Sequence, residues 1–151
     1  MSNPTIGVDP TQVDDSPGFK RNQRATLPDG KEFFYGAANS NIDAGATCIQ
    51  GAQGDMQHIT TARLNGAHAN IGGAPVAGMS NGQWGWFQIR GEGQTRAVAV
   101  AAGGVLSPTG SGGVLDDAGT ETMSGITAVE AKAAAAAGLV RVMFNYPRRI
   151  N

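Results

Sequence analysis

The sequence predicts an all-β fold, and two observations carry the prediction. From Phe33 onward, short apolar patches are broken every few residues by Gly, Asn, Ser or Asp, which is the punctuation of strands joined by turns. Two runs, 84–90 and 139–144, alternate with the two-residue period that places successive side chains on opposite faces of a strand.

Residues 1–34 differ from the rest. They hold four of the seven prolines (Pro4, Pro10, Pro17, Pro28) and nine of the 23 charges, and match neither a strand nor a helix period. The reading is an extended N-terminal arm ahead of a β-rich body over 35–151. Ile6, Val8, Val13, Phe19, Leu27, Phe33 and Phe34 are spaced along this arm as in a chain that orders by laying itself on a partner, and adding an edge strand to another protein is one such mechanism. In the body, Trp84, Trp86, Gln88 and Arg90 share one strand face, and Gly85, Phe87 and Ile89 the other. Gly91-Glu92-Gly93 then reads as a turn, with Thr95 to Val100 as the antiparallel return of a hairpin. Thr127 to Gly138 admits two readings. Thr127-x-x-Glu130 fits a capping box before five alanines, which is a helix signal. A short Ala-rich helix, however, has little area to pack with. The neighbouring β segments favour a strand followed by a small-residue loop. In the last strand Leu139, Arg141 and Met143 alternate against Val140, Val142 and Phe144, and Pro147 is expected to end it.

Composition bounds the function. Gly and Ala supply 23 residues each, about 30% of the 151, against only 28 Leu, Ile, Val and Phe together. Each fully buried large aliphatic contributes roughly 1.5–3 kcal/mol and an alanine much less, so the body is expected to complete its burial on other polypeptides. Eleven basic residues nearly balance 12 acidic ones at a pI near 6.0, unlike a domain that holds nucleic acid by neutralising phosphates. No stretch approaches the ~18 uninterrupted apolar residues of a spanning helix, and the N-terminus lacks the pattern of a signal peptide. The expectation is a soluble chain made in the cytoplasm, with no membrane or nucleic-acid partner. The single Cys48 forms no internal disulfide and reads as a small, semi-buried residue.

Motifs for chemistry are weak. Gly78-Met79-Ser80-Asn81-Gly82 fits the G-x-S-x-G nucleophile elbow, but both histidines, His58 and His68, precede Ser80, whereas the elbow's base follows it. The histidines lie ten apart without the paired spacing of a metal site. Asp14-Asp15 and Asp116-Asp117 lack the alternating oxygen ligands of a calcium loop. Gly91-x-Gly93 lacks the third glycine of a dinucleotide loop. No catalytic, cofactor or metal residue is assigned, and the chain reads as a non-enzyme. Trp84 and Trp86, with Arg90 on the same face, read as core or as a protein contact, since Trp and Arg are favoured interface anchors. A sugar-stacking platform is the lesser reading.

These residues complete a pattern. Tyr35-Gly36-Ala37-Ala38 with Ile42-Asp43-Ala44-Gly45, the segment from Gly82 through Trp84, Trp86 and Arg90 to Gly91, the stretch from Val98 to Leu106, and the closing Ala137 to Phe144 together resemble the capsid decoration, or cement, proteins of tailed bacteriophages. The arm, the tail 147–151 and an apparent insertion at 66–78 are not matched. The resemblance implies a small β-sandwich or β-tulip (jelly-roll-like) body that trimerises on the outer surface of an icosahedral head and clamps the major capsid protein subunits together, without cofactor or enzymatic activity. It implies capsid-binding roles for Ile6, Val8, Val13, Phe19, Lys20, Arg21, Arg24, Phe33 and Phe34 of the arm, and for Arg148 and Arg149 at the C-terminus. A tail-tube or head-fibre module is the alternative within the virion, and a carbohydrate-binding module the alternative outside it.

Overall fold

The computed structural model describes residues 8–60, 72–118, 123–133 and 136–149. Among them there is no helix, and eleven strands form: β1 (Val13–Asp14), β2 (Arg24–Thr26), β3 (Glu32–Ala37), β4 (Cys48–Gln50), β5 (Met56–His58), β6 (Gly72–Pro75), β7 (Trp84–Ala97), β8 (Ser107–Pro108), β9 (Leu115–Asp116), β10 (Met123–Ala128) and β11 (Gly138–Arg149). The all-β prediction holds. Hydrogen bonding links the strands into one large sheet with the path β10-β11-β7-β6-β4-β5. Pairing is antiparallel between strands except for the single β7–β9 pair, Ala97 with Leu115.

The 14-residue β7 organises the sheet. Its first half pairs with β3, from Arg90 opposite Glu32 to Trp84 opposite Ala37, and its second half with β11, from Arg90 opposite Asn145 to Ala97 opposite Gly138. This corrects the expected hairpin, because the chain does not turn at 91–93 and Thr95 to Ala97 continue the same strand. The glycines there serve close approach instead. Gly91 has φ +90, next to a register shift in the β3 pairing, which is how a bulge kinks a strand without ending it. The Gln88 side-chain amide donates towards the carbonyls of Arg90, Gly91 and Glu92 at 3.0–3.3 Å. A Cβ on Gly93 would strike that same side chain and the Phe144 ring.

The last strand follows its alternation: Val140, Val142 and Phe144 are buried, and Leu139, Arg141 and Met143 face outward. Pro147 does not end it. Tyr146 takes φ +52, the register of β10 shifts around Gly125, and pairing resumes with Arg148 opposite Ser124. In the described part of 127–138 there is strand and then irregular backbone: β10 ends at Ala128, Lys132 bridges to Val100, and Glu130 accepts the backbone N–H of Arg141 instead of capping a helix, while Ala134 and Ala135 lie outside the described residues.

The larger correction concerns the leading segment. From Val8 it lies on the body. Strand β1 pairs with Trp84 and Gly85 of β7, β2 pairs with β3, and Val8, Phe19 and Leu27 pack on the cluster of Ala25, Phe33, Tyr35 and Trp86. Phe33 and Phe34 are buried within β3, so the division drawn at 34 passes through a strand. The physical reason is the shortage of bulky residues already visible in the composition. Edge-on contacts of Phe19 with Tyr35 at 5.3 Å and Trp86 at 5.0 Å supply apolar bulk that the body lacks. Ile6 lies outside the described residues.

Candidate interaction surface

The motifs with catalytic or metal-binding form fall at separate places. Ser80 lies exposed in a turn closed by the Gln83 N–H on its carbonyl, and that turn leads into β7, a strand and not a helix. His58 ends β5, and His68 lies outside the described residues. Among the described residues no group of three or more His, Cys, Asp or Glu is placed to hold a metal ion. Cys48 is fully buried, its Sγ 3.4 Å from the carbonyl of Ala46.

The tryptophans part company. Trp86 is 1% exposed at the centre of the aromatic cluster and presents no ring to a sugar. Trp84 is half-buried, stacked on Tyr35 at 5.7 Å and covered by the Arg21 guanidinium 5.0 Å from its ring centroid. Arg21 also pairs with Asp55 at 3.1 Å and donates to the Gln53 carbonyl at 2.8 Å, which ties the leading segment to the β4–β5 loop. Beneath these rings the Tyr35 hydroxyl donates to Asp14 at 2.5 Å and accepts the Gly18 N–H at 3.1 Å. Burial, and then the bond to Asp14, push Tyr35 up to about 12.

Two residues singled out from distant parts of the sequence come together at Tyr146. The bulge in β11 sets its ring 5.9 Å from the guanidinium carbons of both Arg24, on β2, and Arg90, on β7. Glu32 of β3, itself buried, orients two of the three. Its Oε1 accepts from Arg90 Nη1 and its Oε2 from the Tyr146 hydroxyl, both at 2.9 Å. The hydrogen bond to Glu32, then the influence of Tyr146, hold Arg90 above the usual arginine value. Arg24 is exposed and makes no ion pair among the described residues. Neither Tyr146 nor Glu32 was signalled by the sequence, because the contact joins residues 114 positions apart and depends on the β2-β3-β7-β11 register.

A second surface lies on the outward face of β11. Leu139 is 51% and Met143 44% exposed, with Arg141 between them held by Glu92 at 3.6 Å and Glu130 at 3.5 Å. Leu139, Val76, Pro75 and Leu27 border a groove of about 260 Å³. The alternation of 139–144 identified this face, though not its exposure. Of the remaining expected contact residues, Val13 packs against the Phe34 cluster, Lys20 and Arg148 are exposed, and the Arg149 side chain lies outside the description.

No protein-family model, curated protein or solved structure matches the chain.

Proposed function

We propose that the chain is a virion structural protein that binds the outside of a tailed-phage head as a cement protein and steadies contacts between major capsid protein subunits. The observation that carries this reading is the pair of half-exposed apolar side chains on the outward face of β11, Leu139 and Met143, the first of which borders the Val76-lined groove. Apolar side chains left half-exposed near a groove offer surface that another polypeptide can bury. Completing the burial of two half-exposed side chains adds only about 1 kcal/mol each. A useful grip on a lattice therefore calls for several copies acting together, as in the homotrimer that the resemblance implies. The folded leader changes one detail of that reading: Phe33 and Phe34 serve the core, and the grip falls to exposed groups on the body.

Immuno-electron microscopy of particles made from the genome that encodes the chain tests this. Labelling of the head lattice is the expected result. Labelling confined to the tail or to fibres moves the chain to another virion role, and unlabelled particles overturn the reading altogether.

A further inference from the structure

We propose that Arg24, Arg90 and Tyr146 form a docking site for a carboxylate side chain of a protein partner. Three features converge on it. The first is charge: Glu32 offsets one of the two arginines, leaving the cluster one positive charge in surplus, and that charge sits on exposed Arg24. The second is orientation. Glu32 holds Arg90 by Nη1 and Tyr146 by its hydroxyl, so two of the three groups are fixed before a partner arrives, and a guanidinium's planar fork suits a carboxylate. The third is the backbone. Tyr146 is a non-glycine residue at φ +52, a conformation that costs free energy and persists where the surrounding structure holds it. Here the surrounding structure is the bulge opposite Gly125, where a Cβ would lie 2.5 Å from the Asn145 carbonyl oxygen. One surplus charge beside an aromatic ring suits one acidic side chain. A polyanion would call for a field that a chain of net charge −1 does not generate.

The inference deepens the proposed function and rests on it only for the identity of the partner, so its test has two arms. In the first, the full-length chain is titrated with an acetylated, amidated peptide of alternating Gly and Glu, and separately with single-stranded DNA, following the arginine Nε–H resonances by NMR. The expected result is movement of the Arg24 and Arg90 signals by the peptide, and an affinity about five- to tenfold lower in Arg24→Gln. Arg24→Lys should retain part of the affinity, and Lys132→Gln, which removes the same charge elsewhere, should leave it unchanged. An unchanged melting temperature shows that Arg24→Gln is folded. No response to the peptide, equal weakening by Lys132→Gln, or tighter binding of DNA through the same arginines overturns the site. In the second arm, particles are labelled with wild-type and Arg24→Gln chains. Reduced labelling by the variant is expected, and equal labelling overturns the site. Absence of labelling by the wild type counts against the cement reading alone.

Discussion

The two ends of β7 solve the same shortage in different ways. Around its first half, the leading segment folds back and packs Phe19, Val8 and Leu27 against Phe33, Tyr35 and Trp86. Around its second half, Val140, Val142, Phe144, Ile126 and Leu106 are buried beneath the sheet, while among the described residues Leu139 and Met143 on the other side stay about half exposed. A composition poor in large side chains therefore does not by itself mean burial on a partner. The chain satisfies one half from its own N-terminal segment and leaves the other open, and the open half is where association is expected.

The largest effect expected from breaking this arrangement comes from the aromatic half. Trp86→Ala removes a fully buried ring, at a cost of about 3–5 kcal/mol, measured by urea unfolding. Phe19→Ala, from the leader, should cost less, about 1–3 kcal/mol, because Phe19 is only partly buried. Their double-mutant cycle should show a coupling of roughly 0.5–1.5 kcal/mol for the edge-on pair. Strict additivity would mean that the leader merely drapes over a core complete without it. Deleting residues 8–31 wholesale is a poor probe, since it takes away β1 and β2 and strips the cluster.

In the other half, Gly125→Ala tests the bulge. Its φ is +91 and the added Cβ would meet the Asn145 carbonyl oxygen and Pro147, so a loss of about 2–4 kcal/mol is expected. The NMR signals of Tyr146 and Arg90 should shift with it. A neutral Gly125→Ala would show that the bulge relaxes freely and that Tyr146 is not held in place.

Next in size is Tyr35. Its hydrogen bond to Asp14 fastens the leader to β3, and Tyr35→Phe should cost about 1–3 kcal/mol. The sign of the pH dependence follows from the upward shift to about 12 from an ordinary value of 10.0. The folded state favours the protonated phenol, so this stabilisation is fully present below pH 10 and is lost as pH rises towards 12. Denaturation midpoints measured between pH 9 and pH 12 should fall more steeply for the wild type than for Tyr35→Phe. Parallel curves would remove the hydrogen bond from the account.

What the sequence made legible was local. The alternation of Val140, Val142 and Phe144 against Leu139, Arg141 and Met143 needs no knowledge of the partner strand, and it was read correctly. Gly91-Glu92-Gly93 was misread because a glycine pair marks equally a turn and a bulge. The choice was made by Gln88 and by the distant strand β11, which takes the place of the expected hairpin return. The proline-spaced leader lacks any period because it is held by side chains at intervals, not along a continuous ladder. Its spaced apolar residues read as contacts for another protein, whereas Val8, Phe19 and Leu27 pack on Phe33, Tyr35 and Trp86 of the same molecule. Arg24 and Arg90 were each identified singly, and only the sheet register brings them to Tyr146.

The smallest effect on stability should come from the face left open, which makes that face the sharpest test of the comparison. Leu139→Ser and Met143→Ser replace side chains that are roughly half exposed, so the monomer should lose no more than about 1 kcal/mol each. Association should respond far more. If this face meets other copies of the chain, sedimentation velocity will show the wild type as an oligomer and the double variant shifted towards monomer. If it meets only a different protein, both will sediment as monomers, and the variant will lose binding to particles instead. A double variant that sediments like the wild type and still labels particles would mean that Leu139 and Met143 are ordinary scattered surface residues. The two halves of β7 would then differ in composition without differing in role.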